Sequence, residues 1–339
     1  MKIVHVCAGI ERTNGAAVVA AAFAREQARL GHEVLLASTA PSGNAETVAD
    51  IRTAVFRRTS LPLLSRLCFS LPMLRSLTGL CRGADVVHVH CDWTFPVWWG
   101  AEAARRSGAR LVFSPHGSFD PLRLGHGAWR KRLVAPFDRR IVRDAALVHA
   151  TSPAEADWIR AFEPKVRAIA VIPPGVDLPQ SSDAMPDSDT PRPLRVLYLG
   201  RRHPLKGLDL LEPAVRGLDV ELRIESNAFG ADKEAAFAWC DLLCLPTRSE
   251  NFGLVVAEAL AHGRPVLTTR GAPWEELAVR RCGWWTDVSS EGLRSALESA
   301  LRLPRAELRA MGARGRAWMQ SDFSWPLRVR SLMAAVAAS

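Results

Sequence analysis

The sequence has no apolar run approaching the roughly 20 residues that a membrane-crossing helix requires, which excludes a bilayer-spanning chain as an expectation. Its first residues, Met1-Lys2-Ile3-Val4-His5-Val6, lack the charged, then apolar, then small-residue layout of a secretory leader, so the expected location is cytoplasmic. The seven cysteines are an odd number with no CxxC spacing, which argues against a disulfide framework and a thiolate metal site and points to buried thiols. The turn after the first strand has neither the G-x-G-x-x-G of a dinucleotide site nor the Lys-Ser/Thr of a P-loop, and the second strand ends in Ser38-Thr39 instead of an acid. Internal repeats, long low-complexity tracts and nucleic-acid recognition motifs are also missing, and the basic residues are dispersed.

What remains is a chain of 339 residues, long for one core and suited to two α/β domains. Its 48% hydrophobic content fits a folded protein, and its net charge of +9 suits an anionic partner: nucleic acid, a nucleotide diphosphate or an acidic membrane surface.

The most informative stretch runs from Pro246 to Leu267. An apolar run, Trp239 to Leu245, predicts a buried strand; a polar turn, Thr247 to Gly253, leads into an apolar-faced helix that Gly263 stops. That order places the amides of about Gly253 to Val255 at a helix N-terminus, where they lack intrahelical partners and can bind phosphate or sugar oxygens. Glu250 lies before the helix and Glu258 within it, where the plain expectation is two solvated acids on a capped helix.

Taken in order, the chain opens βαβ: strand Ile3 to Cys7, a loop through Gly15, an Ala-rich helix to Gly31 and strand Val34 to Ala37. Between Phe56 and Arg82, Arg57, Arg58, Arg66, Arg75 and Arg82 alternate with leucines. This reads either as a basic amphipathic surface for anionic lipid or as two covering helices broken at Pro62 and Pro72. Strand Asp85 to His90 puts His88 and His90 on one face, with no further ligand cluster beside them. Trp93, Phe95, Trp98 and Trp99 follow, as a sugar platform or as core. A strand then ends in Pro115-His116-Gly117, at the strand end where open α/β sheets bind ligands. Trp129-Arg130-Lys131-Arg132 reads as a solvated basic face or a contact for acceptor phosphate. Ser152 with Glu155 predicts a capping box. Pro179 to Pro193 is rich in Pro, Ser and Asp and reads as a linker. Beyond it, strand Leu194 to Leu199 feeds the basic loop Gly200-Arg201-Arg202-His203-Pro204-Leu205-Lys206-Gly207.

Glu250, seven residues, Glu258, with Asn251-Phe252-Gly253 between them and Glu-Ala-Leu-Ala-x-Gly-x-Pro-Val after, resembles the retaining nucleotide-sugar glycosyltransferases of family 4. Ser114-Pro115-His116-Gly117 and Gly-Arg-x-x-x-x-Lys-Gly at 200–207 resemble further segments of that family, and the likeness covers nearly the whole chain. The resemblance implies the GT-B fold: two α/β, Rossmann-like domains facing across a cleft. The expected layout is an acceptor domain at 1–178, a linker at 179–193, a donor domain at 194–322 and a helix at 323–339 crossing back to the first domain. It further implies Glu250 at the sugar hydroxyls; Asn251, Phe252, Gly253 and Leu254 at sugar and phosphates; Glu258 at the ribose; and Arg201 and Lys206 on the departing diphosphate. Gly15 would approach the donor phosphates, and His116 would position donor sugar or acceptor. Family members carry a similar His-x-His strand without a metal. One departure stands out. Too few residues lie between Gly207 and Asp241 for the family's usual elements, and its Gly-rich turn is reduced to Glu225-Ser226-Asn227, so the second domain should be shortened.

The expected activity is therefore metal-independent hexosyl transfer, with retention, from a nucleotide-diphosphate sugar to a glycan or lipid-linked acceptor. No cofactor is expected. The family likeness and the basic first domain point to bacterial lipopolysaccharide or exopolysaccharide synthesis, with an anionic membrane surface as a further partner and peripheral attachment to the inner face of the cytoplasmic membrane. The alternatives are a catalytically silent nucleotide-sugar-binding GT-B protein, a sugar-nucleotide epimerase, for which no second acid/base set is found, and a basic nucleic-acid-binding module.

Overall fold

The computed structural model of the chain describes residues 1–10, 15–42, 48, 50–91, 93–125, 128–179, 192–226 and 228–339. It divides into two compact units: Met1–Pro174 together with Trp325–Ser339, and Gly175–Ser324. The stretch expected to be a linker lies largely outside the described residues.

The first unit is built on a seven-stranded sheet of β1 (Lys2–Val6), β2 (Glu33–Ala40), β3 (Arg52–Arg57), β4 (Val86–His90), β5 (Arg110–Ser114), β6 (Leu147–Ala150) and β7 (Ile169–Val171), in the order β3-β2-β1-β4-β5-β6-β7. Every pairing is parallel. Parallel sheets are covered on both faces, and alternation assigns each strand residue to one of them. One face carries Val4, Val6, Val87, Val89, Phe113, Val148 and Ala150 into the main apolar core. The other carries His5, His88, His90, Ser114 and His149, all buried. Helix Gly15–Arg29 and helix Trp325–Ala338 serve that second face: Phe23 meets His149 edge-on at 5.4 Å and Trp325 at 5.5 Å, and Arg110 donates to the Val336 carbonyl at 2.9 Å.

The second unit has a five-stranded parallel sheet of β8 (Leu194–Leu199), β9 (Val220–Glu225), β10 (Leu242–Leu245), β11 (Val266–Thr269) and β12 (Gly283–Thr286), ordered β12-β11-β10-β8-β9. This sheet has two strands fewer than that of the first unit. Only helix Ala231–Trp239 lies between β9 and β10. That helix also corrects an expectation: the buried strand starts at Leu242, because Trp239 closes the helix and Asp241 is drawn aside by Arg192 at 2.6 Å and Arg305 at 3.0 Å.

Pro62 and Pro72 start helices Pro62–Arg66 and Leu71–Leu80 rather than breaking them. Proline at the first helical turn forfeits only an amide with no intrahelical partner. Met73 and Leu77 face the core, while Leu61, Leu63 and Leu71 are exposed. Five of the seven cysteines are buried; Cys68 and Cys91 are half-buried, and none is bridged. No helix of the described residues is long and apolar enough to cross a membrane.

The four aromatics after β4 pack on the first core. Trp93 meets Phe119 and Phe162 edge-on, and Phe95 stacks parallel on Trp99. Buried Asp138 ties this group down, accepting from the Trp98 indole at 3.1 Å and the Trp93 amide at 3.3 Å, while its other oxygen has no partner among the described residues. Burial raises this carboxyl from 3.8 to about 6. The folded state thus binds its proton more tightly than the unfolded one. The resulting stability is complete below 3.8 and lost as pH rises through 6. Asp138→Asn keeps the acceptor and removes the charge. It is expected to raise stability at pH 8 by about 1–2 kcal/mol, with the gain over wild type vanishing near pH 4, as read from thermal melts across pH.

Candidate active site

In each sheet the chain reverses direction across one strand pair, β1/β4 in the first and β8/β10 in the second. Such switch points open a crevice at the carboxyl ends of the strands. The residues singled out from the sequence gather at these ends.

In the second unit, the loops leaving β8 and β10 are fastened to each other. The Arg248 amide donates to the Leu205 carbonyl at 2.7 Å, and the Thr247 hydroxyl donates to the same oxygen at 2.9 Å. Gly207 permits this approach. It sits at φ 67°, and a Cβ there would stand 1.8 Å from the Pro246 carbonyl oxygen. The result is direct contact between the Lys206 ammonium and the Glu250 carboxylate, both largely sheltered from solvent. The Glu250 amide donates to the Gly271 carbonyl at 2.7 Å, bringing in the loop after β11. Gly253, at φ 84°, turns the chain into helix Leu254–Ala261. The amides of Leu254 and Val255 there have no carbonyl of their own helix to donate to. The Phe252 side chain is core, its ring tilted at 48° against Trp274, whose indole donates to the Phe252 carbonyl at 2.5 Å. Only the Phe252 backbone is therefore presented at this turn, and Asn251 beside it is half-buried.

Glu258 lies one turn into the helix, half-buried and paired with Lys233 of helix Ala231–Trp239 at 2.5 Å. The Glu258 carbonyl also contacts His262 Nδ1, whose other nitrogen meets Glu234 at 2.6 Å. Arg201 is exposed, and only its carbonyl is engaged, by the Tyr198 hydroxyl at 3.0 Å. The structure thus joins Lys206 to Glu250 but leaves the Arg201 guanidinium without a counter-ion among the described residues.

In the first unit, His116 ends the β5 turn at φ 52°, followed by Gly117 at φ 79°. Two successive left-handed residues make a sharp corner, and for histidine that conformation costs about 1 kcal/mol. A buried carboxylate holds it: Glu155 accepts from the Gly117 amide at 2.5 Å, the Thr151 amide at 2.7 Å and the Thr151 hydroxyl at 2.8 Å. The expected capping box is thus half present. Ser152 accepts from the Glu155 amide at 3.2 Å, but the Glu155 side chain serves Gly117 and Thr151 instead of reaching back to Ser152.

Behind the corner lies a network of imidazoles. His90 joins His116 at 3.1 Å and His5 at 2.9 Å, and His5 reaches the Gln27 amide oxygen at 2.6 Å. A second branch runs from His88 through Ser114 to His149 and the Ile172 carbonyl, at 2.7, 2.8 and 2.7 Å. Burial pushes His5 and His149 down to about 4 and His88 and His90 well below 6.5, so all are neutral near pH 7. Desolvation, with His149 nearby, holds His116 at about 3. Nitrogens of His5, His88 and His90 lie within 4.8 Å of one another, but both nitrogens of His5 and of His90 are already hydrogen-bonded, so a cation would have to dismantle the chain. Gly15 is the exposed first residue of its helix; residues 11–14 of its loop, like Asp92 and Asn227, lie outside the described residues.

Sequence reasoning missed Lys233, the link between His90 and His116, and the role of Glu155 at the Gly117 corner. His90 and Glu155 each left a signal, one as part of a His-x-His strand end and the other as an acid three residues after an N-cap serine. Gly207→Ala is expected to cost about 3 kcal/mol, since it meets the Pro246 carbonyl as well as carrying an unfavourable φ. Gly217→Ala has a similar φ of 72° but nothing within 4 Å, and is expected to cost only about 1 kcal/mol. Urea midpoints of the two variants measure the difference.

Residues 13–180 match the family model described as Glycosyltransferase Family 4, and residues 183–302 match that of Glycosyl transferases group 1. The chain is 27% identical over 310 residues to a D-inositol 3-phosphate glycosyltransferase of Xylanimonas cellulosilytica, covering 72% of each chain. Its fold matches sucrose-phosphate synthase from Thermosynechococcus elongatus, with a TM-score of 0.80, 18% identity and full coverage of both chains. It also matches Anabaena HepE in complex with UDP-glucose, with a TM-score of 0.76, 18% identity and full coverage of both. With two parallel α/β units of the GT-B type and both family models spanning it in order, the chain belongs to glycosyltransferase family 4.

Proposed function

We propose that this glycosyltransferase moves a hexose from a nucleotide-diphosphate sugar to a hydroxyl of a glycan or lipid-linked acceptor, with retention and without a metal. The observation that carries the reading is the Lys206–Glu250 contact beside the N-terminus of helix Leu254–Ala261. When the sugar leaves, negative charge accumulates on the diphosphate. Lys206, Arg201 and the helix-terminal amides of Leu254 and Val255 are the groups that take up such charge. Donor binding divides the ion pair: Lys206 turns to phosphate and Glu250 to the sugar hydroxyls. Glu258, set by Lys233, meets the ribose, and Gly15 and His116 serve from the first unit, as the family likeness implies.

The carboxylates of both clusters are held in place: Glu250 by Lys206, Glu258 by Lys233, and Glu155 by amides. Retention without a carboxylate nucleophile is carried over from the family likeness. The acceptor oxygen bonds to the anomeric carbon on the face from which phosphate departs, and its proton passes to a phosphate oxygen. A lipid-linked acceptor is supported by a second feature. Along helix Ala128–Asp144, Trp129, Leu133 and Phe137 recur every fourth residue and are 64%, 69% and 59% exposed, with Arg132, Arg139 and Arg140 exposed around them. An apolar stripe with basic flanks suits an anionic headgroup surface, in keeping with bacterial envelope-glycan synthesis.

Thermal-shift and hydrolysis assays with UDP-, GDP-, ADP- and dTDP-sugars, each with and without EDTA, test the proposal. One donor is expected to stabilise the protein and be turned over despite EDTA, with Lys206→Ala lowering the rate about 100-fold and Glu250→Ala abolishing donor stabilisation. Saturable binding without turnover on any acceptor would leave the silent nucleotide-sugar-binding alternative. On the membrane side, phosphatidylglycerol vesicles are expected to sediment the protein while phosphatidylcholine vesicles do not, and Leu133→Glu with Phe137→Glu should weaken that binding about tenfold or more. Equal binding to both vesicles would remove the anionic membrane surface from the proposal.

A further inference from the structure

His116 is one end of a hydrogen-bonded chain that begins on the C-terminal helix. Met333 Sδ lies 3.4 Å from Gln27 Nε2, Gln27 Oε1 lies 2.6 Å from His5 Nε2, His5 Nδ1 lies 2.9 Å from His90 Nε2, and His90 Nδ1 lies 3.1 Å from His116 Nε2. His5, His90 and Gln27 are buried, and the rings meet edge to edge in nearly the same plane: His5 and His90 are tilted by 15° with centroids 5.2 Å apart, and His90 and His116 by 12° with centroids 5.4 Å apart.

The direction of the protons along this chain is decided at its far end. A thioether sulfur has lone pairs and no hydrogen, so the side of the Gln27 amide that faces Met333 must be the NH2 group. The amide oxygen then faces His5. Because that oxygen only accepts, His5 carries its hydrogen on Nε2. A neutral imidazole holds one such hydrogen, so His5 Nδ1 is bare and accepts from His90 Nε2–H. His90 Nδ1 is bare in turn and accepts from His116 Nε2–H. Each step leaves one choice, and the last leaves His116 with a bare Nδ1.

We infer that Met333, Gln27, His5 and His90 act as positioning residues that fix His116 in the Nε2–H tautomer, so that it offers Nδ1 to its ligand as a hydrogen-bond acceptor. The group it meets must then be a donor, such as a sugar or acceptor hydroxyl; an ether or carbonyl oxygen would face a lone pair. The second branch does not compete. It is directed by the Ile172 carbonyl, to which His149 Nε2–H donates, so that Ser114 donates to His149 Nδ1 and accepts from His88 Nε2–H. Burial, which keeps these rings neutral, gives each imidazole the single hydrogen that the chain requires.

What Nδ1 meets rests on the glycosyl-transfer reading; the tautomer itself does not. The test is long-range 1H–15N correlation on protein labelled at histidine, with His116→Asn for assignment. Wild-type His116, His90 and His5 are all expected as Nε2–H tautomers. Gln27→Leu removes the acceptor that anchors the chain, and Met333→Leu removes the sulfur while keeping volume. Both are expected to introduce the Nδ1–H form at His116. With a donor in hand, both should lower kcat, Gln27→Leu by about tenfold, while the donor KM stays within about twofold. A wild-type His116 in the Nδ1–H form would overturn the inference whether or not the Gln27 and Met333 variants fold. A His116 tautomer unchanged in both variants would overturn it as well. The expected tautomers together with no turnover of any nucleotide sugar would sink the transferase reading and leave the tautomer assignment standing.

Discussion

Both sheets are wholly parallel, and that constraint organises the molecule. Parallel neighbours deliver every strand's carboxyl end to the same edge, so loops distant in sequence meet there without further arrangement. The loop of Lys206 and that of Glu250 follow adjacent strands. His5 and His90 likewise stand on the pair at which the first sheet reverses. Parallel sheets are also buried on both faces, so polar strand residues must satisfy one another internally. The histidine-bearing face does this with two hydrogen-bond branches set among buried Ile3, Leu36, Val112 and Phe23.

The charged groups obey a related rule. A partly buried acid is costly unless a cation or several donors share its field. Glu250 has Lys206, Glu258 has Lys233, and Glu155 has two amides and a hydroxyl. Half-sheltered pairs of this sort contribute little net stability, since desolvation offsets most of their attraction. Their value lies in orientation: each carboxylate is aimed before any ligand arrives, and a ligand that supplies its own charge exchanges partners instead of meeting a bare group.

Much of this was legible in the sequence, because motifs at strand ends are local signals. Pro115-His116-Gly117, the loop from Arg201 to Lys206, and the run from Glu250 to Glu258 each carry their strand, turn and helix with them. What stayed hidden depends on register between strands. Alternation places His5 and His90 on faces of their own strands but cannot say that the rings meet, 85 residues apart. Glu155 satisfied a local capping pattern, yet a carboxylate with two oxygens serves whichever buried donors are nearest, here the Gly117 corner. Lys233 belongs to no motif and is set by the packing of its helix. Trp129, Leu133 and Phe137 have helical spacing in the sequence, but spacing alone does not say whether such a stripe faces the core or solvent.

The helix that carries Met333 also bears on how the protein is made. The first unit is discontinuous: the chain leaves it at Pro174 and returns at Trp325. On the ribosome, its sheet is synthesised long before the helix that covers Phe23 and reaches Gln27. Until then Phe23 and Gln27 on helix Gly15–Arg29 lack their partners, and the apolar surface around them stays open to solvent. That early helix therefore completes its packing only after the second unit has been made, an interval long enough for a chaperone or a second nascent chain to find it.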